Sequence, residues 1–117
     1  MFNNIRKYHR YPIFARANIV VKNEIDSVAR KTEVSSIAVS GLGVYSAELI
    51  GVGEEVSINI EVPGPKEEMK NDTIDGKVVW LSMKDDIYYL GIFFDEELNK
   101  DRQPNLYRHF HRIIRDN

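Results

Sequence analysis

The chain of 117 residues contains no cysteine, which excludes a disulfide framework, a thiolate metal site and a cysteine nucleophile. Long apolar runs are also missing, because segments such as 19–21 and 92–94 are far shorter than the roughly 20 residues that span a membrane. The first residues, Met1 to Ile5, contain no apolar signal core. We therefore expect a cytoplasmic protein that makes no contact with a membrane.

A large charge of one sign is missing too. Sixteen Lys and Arg against eighteen Asp and Glu give a net charge of -2, which argues against a general binder of nucleic acid polymers. The charge is uneven, however, because residues 1–16 contain Arg6, Lys7, Arg10 and Arg16 and no acidic residue. This basic segment is a candidate for binding a small anionic ligand.

The sequence offers no convincing set of catalytic or metal-binding groups. His109 and His111 are two residues apart, so on a helix they point about 200° away from each other and cannot share an ion. His9 lies among cations, which repel a metal. No segment matches a phosphate-binding loop, a dinucleotide-binding loop or a nucleophile elbow. We expect no enzyme activity, no catalytic residue, no metal and no cofactor.

Hydrophobic periodicity predicts one mostly-β domain. Short strands spaced by roughly ten residues favour an antiparallel barrel or sandwich. Near the end of the chain, Leu106, Phe110 and Ile113 recur at helical spacing after Pro104, which predicts a helix at about 103–115. Extended segments are predicted at 12–22, 28–39, 44–45, 56–62, 74–81 and 87–94.

Two arginines precede the first predicted strand, Arg6 and Arg10, on a segment that we expect to be a flexible basic arm (residues 1–11) ahead of the domain (residues 12–117). Two guanidinium groups on one arm can bind one ligand, because each pairs bidentately with a phosphate or with the O6 and N7 edge of guanine and stacks on a purine. Taken alone, such a pair favours a solvated basic segment with no specific ligand, because arginine pairs at this spacing are common.

The segment 36–43 combines small hydroxyl residues with two glycines between predicted strands. In a loop of this composition, backbone N–H groups are open to a base or a phosphate, and glycine permits a positive φ where the chain turns. The same composition is typical of a tight turn with no ligand. By itself, the segment therefore favours the turn.

In this order, these features resemble the PilZ domain family. The family pattern is an Arg-x-x-x-Arg arm, an Asp/Asn-x-Ser-x-x-Gly loop about thirty residues later, a strand of the type Gly-x-Val-Val-Trp, and an aromatic strand with Gly and Phe. The resemblance covers the chain from about Arg6 to Ile114. The matching segments are the arm with Arg6 and Arg10, then 41–46, 76–80 and 89–94, followed by the terminal helix.

The resemblance implies a six-stranded antiparallel β-barrel with a flexible N-terminal arm and a C-terminal α-helix. It also implies binding of cyclic di-GMP, a bacterial second messenger, by a single-domain receptor or adaptor that relays the signal to a partner protein whose identity the sequence does not give. In that picture Arg6 and Arg10 bind guanine edges and phosphates. Ser36, Ala38 and Gly41 receive the other guanine.

The second motif departs from the family pattern. When the motif is aligned on Gly41, Ser36 stands at the Asp/Asn position and Ala38 at the serine position. A shift of two residues places Ser40 and Gly43 on the serine and glycine positions but leaves Ala38 at the Asp/Asn position. In either register the carboxylate or amide is missing. Two hypotheses therefore remain open: a cyclic di-GMP sensor, and an interaction adaptor that has kept the fold and lost the ligand.

Overall fold

The computed structural model describes residues 9–116, which form a closed ring of six strands followed by one helix. All neighbouring strands are antiparallel, and the order β1-β2-β3-β6-β5-β4 closes because β4 pairs with β1. The predicted fold class is confirmed. The elements are β1 (Tyr11–Val21), β2 (Arg30–Ala38), β3 (Gly41–Ser46), β4 (Glu55–Pro63), β5 (Met69–Lys84), β6 (Ile87–Phe94) and α1 (Pro104–Asp116).

Strict alternation of apolar and polar residues in β4 builds one wall of the core. Val56, Ile58, Ile60 and Val62 point inward and have no exposed surface, whereas the residues between them are half-buried on the outer side. Successive strand residues face opposite sides of a sheet, so this pattern places one apolar row inside the ring. Burying each large side chain contributes roughly 1.5–3 kcal/mol.

Helix α1 packs against β4, β5 and β1 through its buried Leu106 and Phe110. Asp72 of β5 fixes the start of the helix through both of its carboxylate oxygens. Its Oδ2 accepts a hydrogen bond from the Leu106 backbone N–H at 2.6 Å, and its Oδ1 accepts one from the side-chain amide of Asn105 at 3.0 Å. The Leu106 N–H lies in the first turn of α1, where no carbonyl oxygen of the helix can accept from it, so the Asp72 carboxylate of β5 supplies the missing acceptor. In the part of the chain that the structure describes, no helix is long and apolar enough to cross a membrane.

Two β-bulges interrupt the alternation in β2 and β5, at 34–36 and 78–80. A bulge adds one residue to one strand and changes the direction in which the neighbouring side chains point. After these bulges, four residues of four adjacent strands lie in one row across the sheet. The row consists of Ser36, Gly43, Gly91 and Trp80.

Candidate ligand-binding face

The segment 36–43 is mostly strand rather than loop. Ser36 and Ala38 belong to the end of β2, Gly41 and Gly43 begin β3, and only two residues form the turn between them. The tight turn that the composition favoured is present at residues 39 and 40, and the alternative of an open loop over 36–43 is wrong, because a two-residue hairpin connection keeps its flanking residues in the ladder. Ala38 is buried, and Gly41 lies against the β6 backbone, where a Cβ would collide with a carbonyl oxygen. Both residues form the barrel wall, whereas Ser36 keeps part of its surface exposed.

Arg10 and Ser36, one from each predicted motif, are in contact. The Arg10 Nη1 donates a hydrogen bond to the Ser36 Oγ at 3.3 Å, although 26 residues separate the two in sequence. The start of β1 explains the contact, since Pro12 pairs directly with Ser36 and brings the preceding residues over the end of β2. Arg6 lies outside the described residues.

Tyr89 of β6 extends this contact into a cluster of hydroxyl groups. Ser35 Oγ donates to the Tyr89 hydroxyl at 3.1 Å, and the Ser36 Oγ and the Tyr89 hydroxyl lie 3.5 Å apart. Ser35 Oγ also lies 3.3 Å from the Gly43 carbonyl oxygen. The bulge at Ser35 lets two consecutive serines reach the same phenol. We call Ser35, Ser36 and Tyr89 the hydroxyl cluster.

The hydroxyl cluster changes the electrostatics of Tyr89. Partial burial acts to raise the pKa of Tyr89, but hydrogen bonds with Ser35 and Ser36 and the charge of Arg10 outweigh it, so the pKa lies below its ordinary value. Hydrogen bonds to the charged form and a nearby opposite charge both favour an anion. The surroundings of the Tyr89 oxygen therefore favour negative charge at this point.

Three aromatic rings lie beside the hydroxyl cluster and form what we call the aromatic shelf: Tyr45, Tyr89 and Trp80. The ring centroids of Tyr45 and Tyr89 are 4.6 Å apart, and Trp80 meets Tyr89 edge-on at 5.1 Å. The Trp80 indole lies over Gly91, where any Cβ would collide with it. Tyr45 and Trp80 remain 47% and 37% exposed, so planar apolar surface is available to a ligand next to Arg10.

A groove of about 600 Å³ borders the shelf at Tyr45. Its floor carries Arg16, which lies in register between Glu33 of β2 and Glu61 of β4. Lys31 also lines the groove, so two cations face two carboxylates and the groove has no excess of positive charge. The Arg10 side of the shelf is therefore the better position for an anionic ligand.

The face can bind a ligand that combines planar bases with anionic groups. A guanidinium pairs with phosphate or a guanine edge, hydroxyls both donate and accept hydrogen bonds, and exposed rings stack on bases. No group of three or more His, Asp or Glu within residues 9–116 is placed to hold a metal ion. Sequence reasoning missed Ser35 and Tyr89 at this face, and only the strand register brings Tyr89 to the two serines.

Comparison with known proteins gives the family of this chain. The model of the PilZ domain matches residues 4–112, and no curated protein sequence matches the chain. Among solved structures, the Bacillus subtilis inhibitor of motility (MotI/DgrA) is similar to this chain, with a TM-score of 0.69 and 18% sequence identity. The match covers 94% of this chain but only about half (52%) of the Bacillus subtilis chain. The structure described as the PilZ domain with c-di-GMP of YcgR from Escherichia coli has a TM-score of 0.65 and 15% identity over 95% of this chain and 92% of that one. These structural likenesses show the fold, and the match over residues 4–112 shows that the chain belongs to the PilZ domain family.

Proposed function

We propose that this chain binds cyclic di-GMP at the face formed by Arg10, the hydroxyl cluster and the aromatic shelf, and relays the signal to a partner protein. The contact between Arg10 and Ser36 carries the proposal, because it joins the arm motif to the position of the second motif. PilZ domains are binding and adaptor domains rather than enzymes. The Escherichia coli YcgR domain in the comparison was solved with c-di-GMP.

The charge of Arg10 supports binding of an anionic nucleotide. Its hydrogen-bond partner Ser36 is a neutral hydroxyl, which does not offset the charge of the guanidinium. Arg10 therefore retains its attraction for a phosphate or for the O6 and N7 edge of guanine. We assign Arg6 the same role, as the second arginine of the arm. Ala38 and Gly41 support the β2–β3 turn beneath the ligand.

A second candidate function is an interaction adaptor that no longer binds the nucleotide. The observation in its favour is the chemistry of the β2–β3 hairpin, where Ser36 and the buried Ala38 stand at the motif positions and supply no carboxylate. A guanine N–H that loses its acceptor costs about 1–3 kcal/mol, or roughly ten- to hundredfold in affinity. The two candidates predict different results in one titration.

Isothermal titration calorimetry with cyclic di-GMP tests the proposal on three proteins: the wild type, Arg10→Ala and Arg16→Ala. Arg16→Ala is the matched control, since it removes an arginine six residues further along the chain, in β1, at the position flanked by Glu33 and Glu61. We expect micromolar binding by the wild type and by Arg16→Ala, and binding weaker by at least about tenfold in Arg10→Ala.

Two results would overturn the proposal. No heat with the wild type at ligand concentrations of about 100 µM, which corresponds to roughly −5.5 kcal/mol, would favour the adaptor without a nucleotide. Equal affinity of the wild type and Arg10→Ala would place the ligand away from this face.

A further inference from the structure

The hydroxyl cluster lies where the family pattern has an Asp or Asn. We infer that the Tyr89 hydroxyl, held by Ser35 and Ser36, replaces that side chain as the hydrogen-bond acceptor for the edge of a purine base. As a consequence, the site selects a 6-oxopurine and distinguishes poorly whether the base carries a 2-amino group. The inference rests on the proposed binding of a cyclic dinucleotide.

The strand register explains how a β6 side chain reaches the motif position on β2. Ser36 pairs with Gly43, and Gly43 pairs with Gly91, so β3 separates the two strands at this level. Tyr89 is two residues from Gly91 and shares its face of the sheet. A Cβ on Gly43 would lie 2.5 Å from the Tyr89 hydroxyl oxygen and 2.6 Å from the Ser36 Oγ. Because Gly43 has no side chain, the phenol crosses β3 and ends beside Ser36.

The hydrogen bonds of the cluster leave acceptor capacity on Tyr89. A hydroxyl oxygen has two lone pairs, and Ser35 donates to one of those on Tyr89. Ser36 accepts from Arg10 and lies 3.5 Å from the phenol oxygen, so the Tyr89 O–H can donate to the second lone pair of Ser36 and leave the second lone pair of Tyr89 open. The charge of Arg10 and the hydrogen bonds with Ser35 and Ser36 lower the pKa of Tyr89, and the same surroundings favour its oxygen as an acceptor.

A phenol differs from a carboxylate in the number of base atoms that it can read. A carboxylate has two oxygens and accepts from guanine N1–H and N2–H together, whereas one hydroxyl oxygen directed at the base accepts from one of them. Hypoxanthine keeps N1–H and O6 and lacks the 2-amino group. A site that uses Tyr89 therefore loses little when guanine is replaced by hypoxanthine.

The first test compares Tyr89→Phe with Tyr88→Phe by calorimetry with cyclic di-GMP. Each variant removes one hydroxyl and keeps the ring, and Tyr88 precedes Tyr89 in β6 but faces the opposite side of the sheet. We expect affinity to fall by about tenfold or more in Tyr89→Phe and to stay within about twofold in Tyr88→Phe. Thermal melts of both variants check that the fold is retained.

The second test adds the acid of the family pattern and changes the base. Ser36→Asp in the Tyr89→Phe background is expected to restore the lost affinity, because the carboxylate again accepts from the base beside Arg10. Cyclic di-IMP, the hypoxanthine analogue, is expected to bind the wild type within about threefold of cyclic di-GMP. It is expected to bind the double variant at least about tenfold more weakly than cyclic di-GMP.

The outcomes separate the inference from the proposed function. A wild type that binds cyclic di-GMP and a Tyr89→Phe variant that binds it equally well would overturn the inference and leave the proposed function standing. A wild type that discriminates strongly against cyclic di-IMP would also overturn the inference alone. A wild type that binds neither nucleotide would overturn both.

Discussion

Strand β1 has two neighbouring strands, β4 and β2, and they differ in how regularly apolar and polar residues alternate in the ladder. On one side, β4 pairs with β1 over residues 16–21 of β1 without an irregularity, and every second residue of β4 is fully buried. On the other side, β2 pairs with β1 across a bulge between Pro12 and Ala15 and with β3 across a second one at Ser35. Both sides line the core, but helix α1 packs on the regular side, whereas the bulged side carries Arg10 and the hydroxyl cluster.

The groups that we propose to bind the ligand gather where the alternation is broken. A regular strand can only point every second side chain outward, in a direction that the barrel fixes. A bulge gives up part of the ladder but turns two consecutive side chains, here Ser35 and Ser36, toward one partner on another strand. We therefore expect stability and ligand affinity to respond to different substitutions.

Ile58→Ala on the regular side is expected to have the largest effect. Ile58 has no exposed surface and lies between Ile19 and Ile74 in the sheet register, so its truncation leaves a cavity in the core. Urea denaturation should show a loss of about 2–5 kcal/mol in the free energy of unfolding. Ser57→Ala, on the outer side of β4, is the control and should change this energy by less than about 0.5 kcal/mol.

The same variant tests the separation of the two sides. Folded Ile58→Ala should bind cyclic di-GMP with an affinity close to that of the wild type, because the affected wall contains none of the binding groups. A large loss of affinity in the folded variant would contradict the division of the barrel into a stabilising side and a binding side.

Gly43→Ala on the bulged side should show the reverse pattern, with a smaller loss of stability and a larger loss of binding. The new methyl group would lie 2.5 Å from the Tyr89 hydroxyl and 2.6 Å from the Ser36 Oγ, so it must displace the hydroxyl cluster. We expect a loss of about 1–3 kcal/mol in the free energy of unfolding, as for other overpacked sites. Calorimetry should show affinity for cyclic di-GMP reduced by at least about tenfold.

Gly51→Ala is the matched control for this variant. A Cβ at Gly51 would meet only the Glu54 Cγ at 4.0 Å, an ordinary van der Waals contact. Its affinity should equal that of the wild type. If Gly43→Ala kept full affinity, the position of the Tyr89 hydroxyl would be irrelevant to binding, and the ligand-binding face would need a different arrangement.

The regular side could be predicted from the sequence because its pattern is local. The alternation at 56–62 predicts an inward row that the structure places in the core, and the spacing of Leu106 and Phe110 predicts the buried stripe of α1. In both cases apolar residues recur with the period at which the strand or the helix brings side chains back to one face. No information about neighbouring strands is needed.

The bulged side could be predicted only in part, because its contacts depend on register. The motif spacing of the family indicated Arg10 and Ser36, which the structure brings together. Density in Ser and Gly over 36–43 favoured a tight turn, but it did not show that the turn has only two residues and that the others lie in β2 and β3. The contact of Tyr89 with Ser35 crosses β3 and joins residues 54 positions apart, which no local pattern shows.

The smallest expected effect is a pH dependence of stability that arises from His109 in helix α1, on the regular side. Burial lowers the pKa of His109, and the charges of Arg112 and Arg108 lower it further. The buried His109 Nδ1 has no hydrogen-bond partner among the described residues, so nothing there offsets the loss of water. The unfolded chain, with an ordinary pKa near 6.5, therefore binds a proton more readily than the folded chain.

This difference fixes the direction of the pH dependence. The contribution of His109 to stability is complete above about pH 6.5 and decreases as pH falls from there toward the lower folded-state pKa. Urea denaturation at about pH 7.5 and about pH 5.5 should show a loss at the lower pH that is reduced in His109→Gln and retained in His111→Gln, which alters an exposed position of the same helix. An equal loss in both variants would mean that the acid sensitivity arises elsewhere. Since the groups proposed to bind the nucleotide lie across β1 from this helix, His109→Gln should also leave the affinity for cyclic di-GMP unchanged, and a change in affinity would show that the two sides of the barrel are coupled through β1.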